Sequence, residues 1–244
     1  MKKIAFVTGG ATGIGEATVK TLCKSGYFCV VFCNNSVENA KKLCDELNKN
    51  EDSAMYFKCD LADYEQTKSA VSKALGLFGR VDVLVNNAGI AQQKCFLDIT
   101  YEDWKKMIDV NLNSVFYMCS LVAPVMVRNH SGKIVNVSSM WGICGASCEV
   151  HYSASKAGVI GFTKALAQEL GTSGITVNCV APGVIDTKMN SNLSEEDIEV
   201  LKEQTPLGKI GKPSDIADCI EFLVSDKANF ITGQVISANG GFVV

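Results

Sequence analysis

The sequence predicts an α/β fold, in which a doubly wound parallel sheet of about seven strands has helices on both faces. Short runs that are apolar throughout alternate with longer segments of helical spacing along the whole chain. A strand that is apolar on both sides belongs in a sheet that is covered on both sides, which favours parallel pairing. The length of 244 residues fits a single domain over 1–244, and right-handed crossovers give the doubly wound order.

The expected elements follow one another regularly. Each strand is a run of mostly apolar residues, and each helix repeats its apolar residues every three or four positions. The predicted strands are Lys3–Thr8, Phe28–Cys33, Ala54–Lys58, Val81–Asn86, Gly132–Ser138, Thr176–Ala181 and Gln234–Ala238. The predicted helices are Glu16–Ser25, Val37–Asn48, Tyr64–Gly76, Tyr101–Asn129, Tyr152–Leu170 and Ser214–Val224. The least regular segment, Gly183–Lys212, is predicted to be a mobile lid.

Composition argues against several classes of function. The chain has 23 basic and 26 acidic residues, so the concentrated positive charge of a nucleic-acid-binding protein is not expected. Eleven cysteines and two histidines occur without metal-ligand spacing, which predicts no metal site. Most of the cysteines are expected to act as small buried apolar residues. We expect no signal peptide and no membrane span, and therefore a cytoplasmic protein.

A glycine-rich turn follows the first predicted strand. Gly9, Gly13 and Gly15 lie within Thr8–Gly15, where they let the backbone turn sharply and approach a ligand closely. The next helix begins here, and its N-terminus offers unpaired N–H groups and partial positive charge to a phosphate. An ordinary βα turn is the alternative, but the position after the first strand favours phosphate binding.

A tyrosine and a lysine form the candidate reactive pair. Tyr152 and Lys156 are four residues apart at a helix start, which places them on one face, one turn apart. A nearby cation stabilises a phenolate, so we expect Lys156 to lower the pKa of Tyr152 and make it a usable proton donor or acceptor. An idle surface pair is the alternative. Ser139 follows the fifth strand, at the sheet edge where ligands bind in such folds.

Taken together, these motifs resemble the short-chain dehydrogenase/reductase family. The TGxxxGIG turn of that family is matched by Thr8, Gly9, Gly13, Ile14 and Gly15, its NNAG segment by Asn86–Gly89, and its PGxxxT segment by Pro182–Thr187. Its Asn–Ser–Tyr–Lys set is matched by Asn111, Ser139, Tyr152 and Lys156. The resemblance covers essentially the whole chain. It implies a Rossmann-type domain that transfers a hydride between a nicotinamide dinucleotide and a carbonyl carbon.

The resemblance also implies a role for each catalytic residue. Ser139 would hold the substrate oxygen and Tyr152 would donate the proton. Lys156 would lower the pKa of Tyr152 and bind the ribose hydroxyls, and Asn111 would hold a water in the proton relay. Ser138 is the alternative active serine, and the family register favours Ser139.

The cofactor site follows from the same resemblance. It comprises Gly9, Thr12, Gly13, Ile14, Gly15, Asn34, Asp60, Leu61, Asn87, Ala88, Gly89, Tyr152, Lys156, Pro182, Gly183, Ile185 and Thr187. Asp60 matches the family acid near the adenine ring, and a helix N-cap is its alternative role. The acid that would select NAD falls on the neutral Cys33, while Thr12 and Asn34 stand at the usual basic places. NADPH is therefore the expected cofactor, with NADH possible.

Within the family, the chain looks most like bacterial 3-oxoacyl-acyl-carrier-protein reductases. That likeness implies reduction of a carrier-bound or small-molecule ketone in fatty acid synthesis, by a homotetramer. The arginines that dock the carrier in those enzymes fall here on His130 and Ser173, with Arg128 and Lys133 nearby. This departure puts the carrier-bound substrate in question.

The segment before Tyr152 offers a different substrate. Residues Trp141–Val150 resemble the branch that reduces the 5-aminopentanone group on bacterial elongation factor P. The expected substrate contacts are Ser139, Trp141, Glu149 and Tyr152, with Glu149 pairing with an ammonium group. Glu149 as a helix-start acid is the alternative. A non-catalytic dinucleotide-sensing module would be expected to have lost part of the catalytic set, and here the set is complete.

Overall fold

The computed structural model describes residues 2–191 and 193–244. Within them, the strands are β1 Lys3–Thr8, β2 Tyr27–Cys33, β3 Ala54–Lys58, β4 Val83–Asn86, β5 Gly132–Val137, β6 Ile175–Pro182 and β7 Val235–Ala238. All seven are parallel and form one sheet in the order β3-β2-β1-β4-β5-β6-β7. The strand order reverses between β1 and β4, so the predicted doubly wound Rossmann-type sheet is confirmed.

Helices pack on both faces of this sheet. They are α1 Gly13–Lys24, α2 Val37–Leu47, α3 Tyr64–Phe78, α4 Tyr101–Ile108, α5 Ser114–Arg128, α6 Trp141–Cys144, α7 Val150–Leu170, α8 Glu195–Gln204 and α9 Pro213–Val224. One core lies between the sheet and α3, α5 and α7, and the other between the sheet and α1, α2 and α9. Neighbouring residues of β1 enter different cores: Phe6 joins the first and Val7 the second, both fully buried. This arrangement requires strands that are apolar on both sides.

The structure corrects two sequence expectations. Helix α1 begins at Gly13 rather than Glu16, because the end of the glycine turn is already helical. The segment 183–212 is not irregular throughout, since it contains α8. Ser194 and Asp197 form a capping box at the start of α8, each accepting a backbone N–H from the other. Asn192, which belongs to the predicted lid, lies outside the described residues.

The stretch Tyr101–Arg128 is one continuous helical rod made of α4, a π-turn at Asp109–Asn113 and α5. By length and composition alone, this rod is apolar enough to cross a membrane. Met118 and Val122 of α5 are fully buried in the core beneath the sheet. A core helix of an α/β protein satisfies the same length and composition criteria, and this position makes α5 such a helix.

Candidate active site

A cavity of about 760 Å³ opens at the carboxyl edge of the sheet. Its walls come from the segments that follow β1, β4, β5 and β6, namely 9–14, 87–91, 138–141 and 183–190. The volume is within the range of small-molecule sites. The cavity also includes the point where the strand order reverses, which is where doubly wound sheets bind ligands.

Most residues that the sequence analysis assigns to the site line this one cavity. They are Gly9, Thr12, Gly13, Ile14, Asn34, Asp60, Leu61, Asn87, Ala88, Gly89, Ser139, Trp141, Glu149, Tyr152, Lys156, Pro182, Gly183, Ile185 and Thr187. Gly15 and Asn111 are not part of its lining. Asn111 joins neighbouring segments by hydrogen bonds, and Gly15 packs directly against Gly9 and Asn87.

Three glycines of the turn occupy positions that would not accommodate a side chain. Gly9 and Gly13 have φ values of 62° and 56°, which favour glycine. A Cβ on Gly15 would lie 2.2 Å from the carbonyl oxygen of Gly9. Among the described residues no side chain caps the start of α1, so its first turn keeps backbone donors for an anionic ligand. The turn therefore fits the pyrophosphate of a dinucleotide.

The segment after β4 holds the glycine turn in place. The Asn87 side-chain amide donates to the carbonyl oxygens of Thr8 and Gly9, at 3.1 and 3.2 Å. The Thr8 hydroxyl oxygen accepts the backbone N–H groups of Asn87 and Ala88, at 2.9 and 3.0 Å. These four bonds join the two segments into one wall of the cavity.

Asp60 lies in the wall after β3 and does not cap a helix. Asp63 is the N-cap of α3, and its carboxylate accepts the backbone N–H of Gln66 at 3.0 Å. The Asp60 carboxylate instead accepts the N–H of Ala62 at 3.0 Å while lining the cavity. The N-cap alternative for Asp60 is therefore wrong.

The end of β2 reaches the same cavity with neutral residues. Cys33, Asn34, Asn35 and Ser36 all contribute to its lining. None of these four side chains carries a negative charge that would repel an additional phosphate on the adenosine ribose. The residues present thus fit a phosphorylated dinucleotide as well as an unphosphorylated one.

Tyr152 and Lys156 occupy the first two turns of α7, and both are almost completely buried. The Lys156 ammonium donates to the carbonyl oxygen of Val137 at 2.9 Å. Its nitrogen lies 5.8 Å from the centre of the Tyr152 ring. The predicted pair is thus formed at the cavity wall, with the lysine anchored to the end of β5.

The two serines after β5 have different partners. The Ser138 hydroxyl donates to the carbonyl oxygen of Lys156 at 2.8 Å, which fixes α7 to the strand. The Ser139 oxygen accepts the N–H of Trp141 at 3.2 Å, and that bond leaves the hydroxyl hydrogen of Ser139 free to donate. This difference supports Ser139 as the serine that would contact a substrate oxygen.

Asn111 lies in the π-turn and is fully buried. Its side-chain oxygen accepts the N–H of Ile90 at 2.8 Å, and its amide nitrogen donates to the Ile90 carbonyl at 2.9 Å. The same nitrogen donates to the Ser155 hydroxyl at 3.1 Å. Asn111 therefore connects the loop after β4 to α7. Its role in holding a relay water stays a prediction.

Comparison with known proteins agrees with this geometry. The family described as short chain dehydrogenase matches residues 3–198. The chain belongs to this family. Among relatives of this short-chain dehydrogenase, a 3-oxoacyl-[acyl-carrier-protein] reductase of Thermotoga maritima is 42% identical over 242 residues, covering 99% of this chain and 98% of the relative.

Further relatives of the short-chain dehydrogenase carry the same description. The one from Staphylococcus aureus is 41% identical over 241 residues, covering 99% of this chain and 98% of the relative. The one from Chlamydia muridarum is 39% identical over 242 residues, covering 99% and 97%. These matches cover nearly the whole chain and therefore the segments that line the cavity. The chain is thus an oxidoreductase of the type that interconverts alcohols and carbonyl compounds.

Burial dominates the electrostatics of the reactive pair in this short-chain dehydrogenase. Burial raises the pKa of Tyr152 to about 12, which the Ser139 hydroxyl partly offsets and the Glu149 carboxylate reinforces. Burial also lowers the pKa of Lys156 to about 8. Desolvation therefore outweighs the other influences on the pKa of Tyr152, and the role of Lys156 in lowering that pKa stays a prediction. Tyr152 therefore carries its proton at neutral pH.

Glu149 is the least satisfied side chain of the cavity wall. It occupies the N-cap position of α7, but its side chain makes no capping hydrogen bond. Its Oε2 atom is buried without a hydrogen-bond partner in the part of the chain that the structure describes. Burial raises the pKa of this carboxyl group. A buried carboxylate without a partner is costly, and the helix-start role does not satisfy it.

The cavity also includes residues that the sequence analysis did not place in the cofactor or substrate site. They are Ala11, Phe32, Ala62, Ile90, Ala91, Lys106, Val110, Val137, Met140, Val184, Lys188, Met189 and Asn190. Lys106 and Lys188 are exposed and add positive charge to the rim. Lys188 could have been predicted to line the cavity, because it directly follows the site residue Thr187. Nothing in the sequence around Lys106 points to the cavity.

Proposed function

We propose that this short-chain dehydrogenase reduces 3-oxoacyl groups, carried as thioesters on acyl carrier protein, to 3-hydroxyacyl groups with NADPH. One observation carries the proposal: the buried, protonated phenol of Tyr152 lies beside Ser139, in the cavity that also contains the glycine turn. The names of the full-length relatives supply the substrate class. In this proposal, residues 1–244 form one dinucleotide-binding and catalytic domain that acts in the cytoplasm.

The cofactor would occupy the cavity from the end of β2 to the segment after β6. The glycine turn would bind the pyrophosphate with backbone N–H groups, and Asn34 would bind the ribose phosphate. Gly183 and Thr187 would hold the nicotinamide end, close to Tyr152. When bound, the dinucleotide supplies the hydride that reaches the carbonyl carbon.

Three side chains of the cavity wall would act on the carbonyl oxygen of the substrate. Ser139 donates a hydrogen bond to it and so orients the ketone. Tyr152 transfers its proton to the same oxygen as negative charge develops there. The ammonium of Lys156 stabilises the phenolate that Tyr152 leaves behind. A phenol with a pKa of about 12 is a weak acid, so the proton transfer depends on this stabilisation of the phenolate by Lys156.

The test is turnover of a 3-oxoacyl thioester with NADPH, followed by loss of NADPH absorbance. Tyr152→Phe should reduce kcat by at least about 100-fold while NADPH binding persists. Tyr101→Phe removes an exposed hydroxyl outside the cavity lining and is the matched control. If the wild-type protein binds NADPH but turns over no ketone, the chain is a dinucleotide-sensing module. NADH in the same assay measures the cofactor preference.

Carrier docking would use the rim of the cavity. Positions 130 and 173 precede β5 and β6, so they lie toward the amino edge of the sheet, opposite the cavity. Lys106 and Lys188 are exposed at the rim, where they would attract an acidic carrier. Reversing both charges should raise the KM for a carrier-bound thioester about tenfold more than the KM for a small thioester. Equal changes in the two KM values would exclude rim docking.

A homotetramer is part of the same proposal. Exposed large apolar side chains, including Phe116 on α5 and Phe230 after α9, support subunit contacts. Light scattering after size-exclusion chromatography measures the assembly, and a monomer at micromolar concentration would refute it.

Glu149 favours a second function, reduction of an aminoketone such as the 5-aminopentanone group on elongation factor P. An ammonium group in the cavity would pair with the buried oxygen that has no partner in the described part of the chain. Glu149→Gln should lower kcat/KM for an aminoketone about 100-fold and affect an uncharged ketone much less. Glu65→Gln changes an acid in the first turn of α3 and is the control. Unchanged aminoketone kinetics in Glu149→Gln would remove this function.

A further inference from the structure

Two thiols are in contact near the cavity. All eleven cysteines are free, and the sulfur atoms of Cys95 and Cys148 lie 3.6 Å apart. Cys95 belongs to the loop after β4, and Cys148 to the segment between α6 and α7. The contact therefore joins segments that are 53 residues apart in sequence.

Both cysteines of this pair have access to solvent. Cys95 is exposed and Cys148 is partly exposed, so a small oxidant can reach both sulfur atoms. The backbone N–H of Lys94 donates to the carbonyl oxygen of Cys148 at 2.7 Å, which already holds the two segments side by side. A disulfide requires a sulfur–sulfur distance of about 2.05 Å, so the sulfur atoms need to approach by only about 1.5 Å.

Both segments border the cavity. Ile90 and Ala91 line the cavity on the Cys95 side, and Trp141 and Glu149 line it on the Cys148 side. Cys148 directly precedes Glu149 and has a φ of 58°, a conformation that side-chain-bearing residues rarely adopt. A covalent bond between the thiols would therefore restrain two neighbouring segments of the cavity wall at once.

We propose that Cys95 and Cys148 form a site of reversible oxidation, which closes to a disulfide under a hydroperoxide and slows substrate entry. The oxidant converts one thiolate to a sulfenic acid and leaves as hydroxide. The second thiol attacks that sulfur, the S–S bond forms, and water leaves. In sum, two thiols and one hydrogen peroxide give one disulfide and two water molecules, and two electrons pass from sulfur to the peroxide. A small dithiol restores both thiols by exchange.

The slower turnover rests on the proposed ketone reduction, whereas the cross-link does not. Hydrogen peroxide is added to the native protein, and thiol counting and peptide mass spectrometry follow the sulfur chemistry. We expect the wild type to lose two thiols, with one cross-linked peptide pair that contains Cys95 and Cys148. Its kcat/KM for a long-chain 3-oxoacyl thioester should fall about tenfold or more, and dithiothreitol should restore it.

Three single variants serve as controls. Cys95→Ser and Cys148→Ser should keep their kcat/KM after peroxide. Cys144→Ser should behave like the wild type, because Cys144 is exposed on the same segment but its sulfur contacts the backbone oxygens of Met140 and Gly145.

Three outcomes would overturn the proposal: no cross-linked peptide, thiol loss that maps to Cys144, or a cross-link that leaves turnover unchanged. A wild type that reduces no ketone would refute the proposed function, and with it the effect on turnover. Mass spectrometry would still decide the cross-link independently.

Discussion

Lys156 makes the stability of the protein depend on pH in a way that can be measured. Its ammonium is buried, and its pKa falls from an ordinary 10.5 to about 8 in the folded chain. Below pH 8 both the folded and the unfolded chain carry the charge, and the folded chain bears its desolvation cost. Between pH 8 and 10.5 only the unfolded chain binds the proton, so stability rises with pH. The full effect is about 3 kcal/mol.

Lys156→Met removes this dependence and keeps a long apolar stem. The variant also loses the hydrogen bond to Val137, but that loss does not change with pH. We therefore expect the wild type to gain about 3 kcal/mol relative to Lys156→Met as pH rises from about 8 to 10.5. Other titrating groups are common to both proteins and cancel in the difference.

Urea unfolding at a fixed protein concentration gives the free energy of unfolding of both proteins at each pH. Lys164→Met removes an exposed lysine from the same helix and controls for the loss of a positive charge. A difference between wild type and Lys156→Met that stays constant from pH 7 to 10.5 would show that the buried ammonium does not titrate as argued. A difference that grows in favour of the variant would reverse the sign and refute the desolvation argument.

The remaining predictions concern catalysis and cofactor binding. Because the pKa of Lys156 is about 8 and that of Tyr152 about 12, kcat should decline above pH 8 as the lysine loses its charge, and a rate that is flat to pH 10 would contradict this assignment. Gly15→Ala should abolish NADPH binding, because the new Cβ would meet the Gly9 carbonyl oxygen; titration calorimetry with NADPH measures this. Gly76→Ala in α3 has open space and should stabilise the protein by about 1 kcal/mol, which thermal unfolding measures. Cys33→Asp should lower kcat/KM for NADPH about 100-fold relative to NADH, and Cys33→Asn, the neutral control, should keep the original preference.

The sequence predicted the sheet well because each strand is a short apolar run that can be recognised by itself. β1 and β3 have the predicted bounds, since both are short apolar runs between polar turns. α8 was missed because its segment follows a Pro-Gly turn and contains no buried residue. A serine three residues before an aspartate, Ser194 and Asp197, marks its start and was available in the sequence.

The positions of the site residues were predictable from sequence motifs. Their burial and pKa values were not, because these depend on how the chain folds around them. Residues from the glycine turn to Thr187 reach one cavity, as expected. The direction of the Tyr152 pKa was not predictable, because spacing shows a lysine one turn away but not how deeply both groups are buried. The contact between Cys95 and Cys148 has no sequence signal either, since it depends on how two loops meet.

The ring of Trp141 meets Phe242 edge to face, with ring centres 5.7 Å apart. Phe242 therefore supports an indole that borders the cavity. The only other indole, Trp104, lies in α4 and outside the cavity lining. Intrinsic fluorescence of a Trp104→Phe protein would therefore report ligand arrival at Trp141 without any added dye.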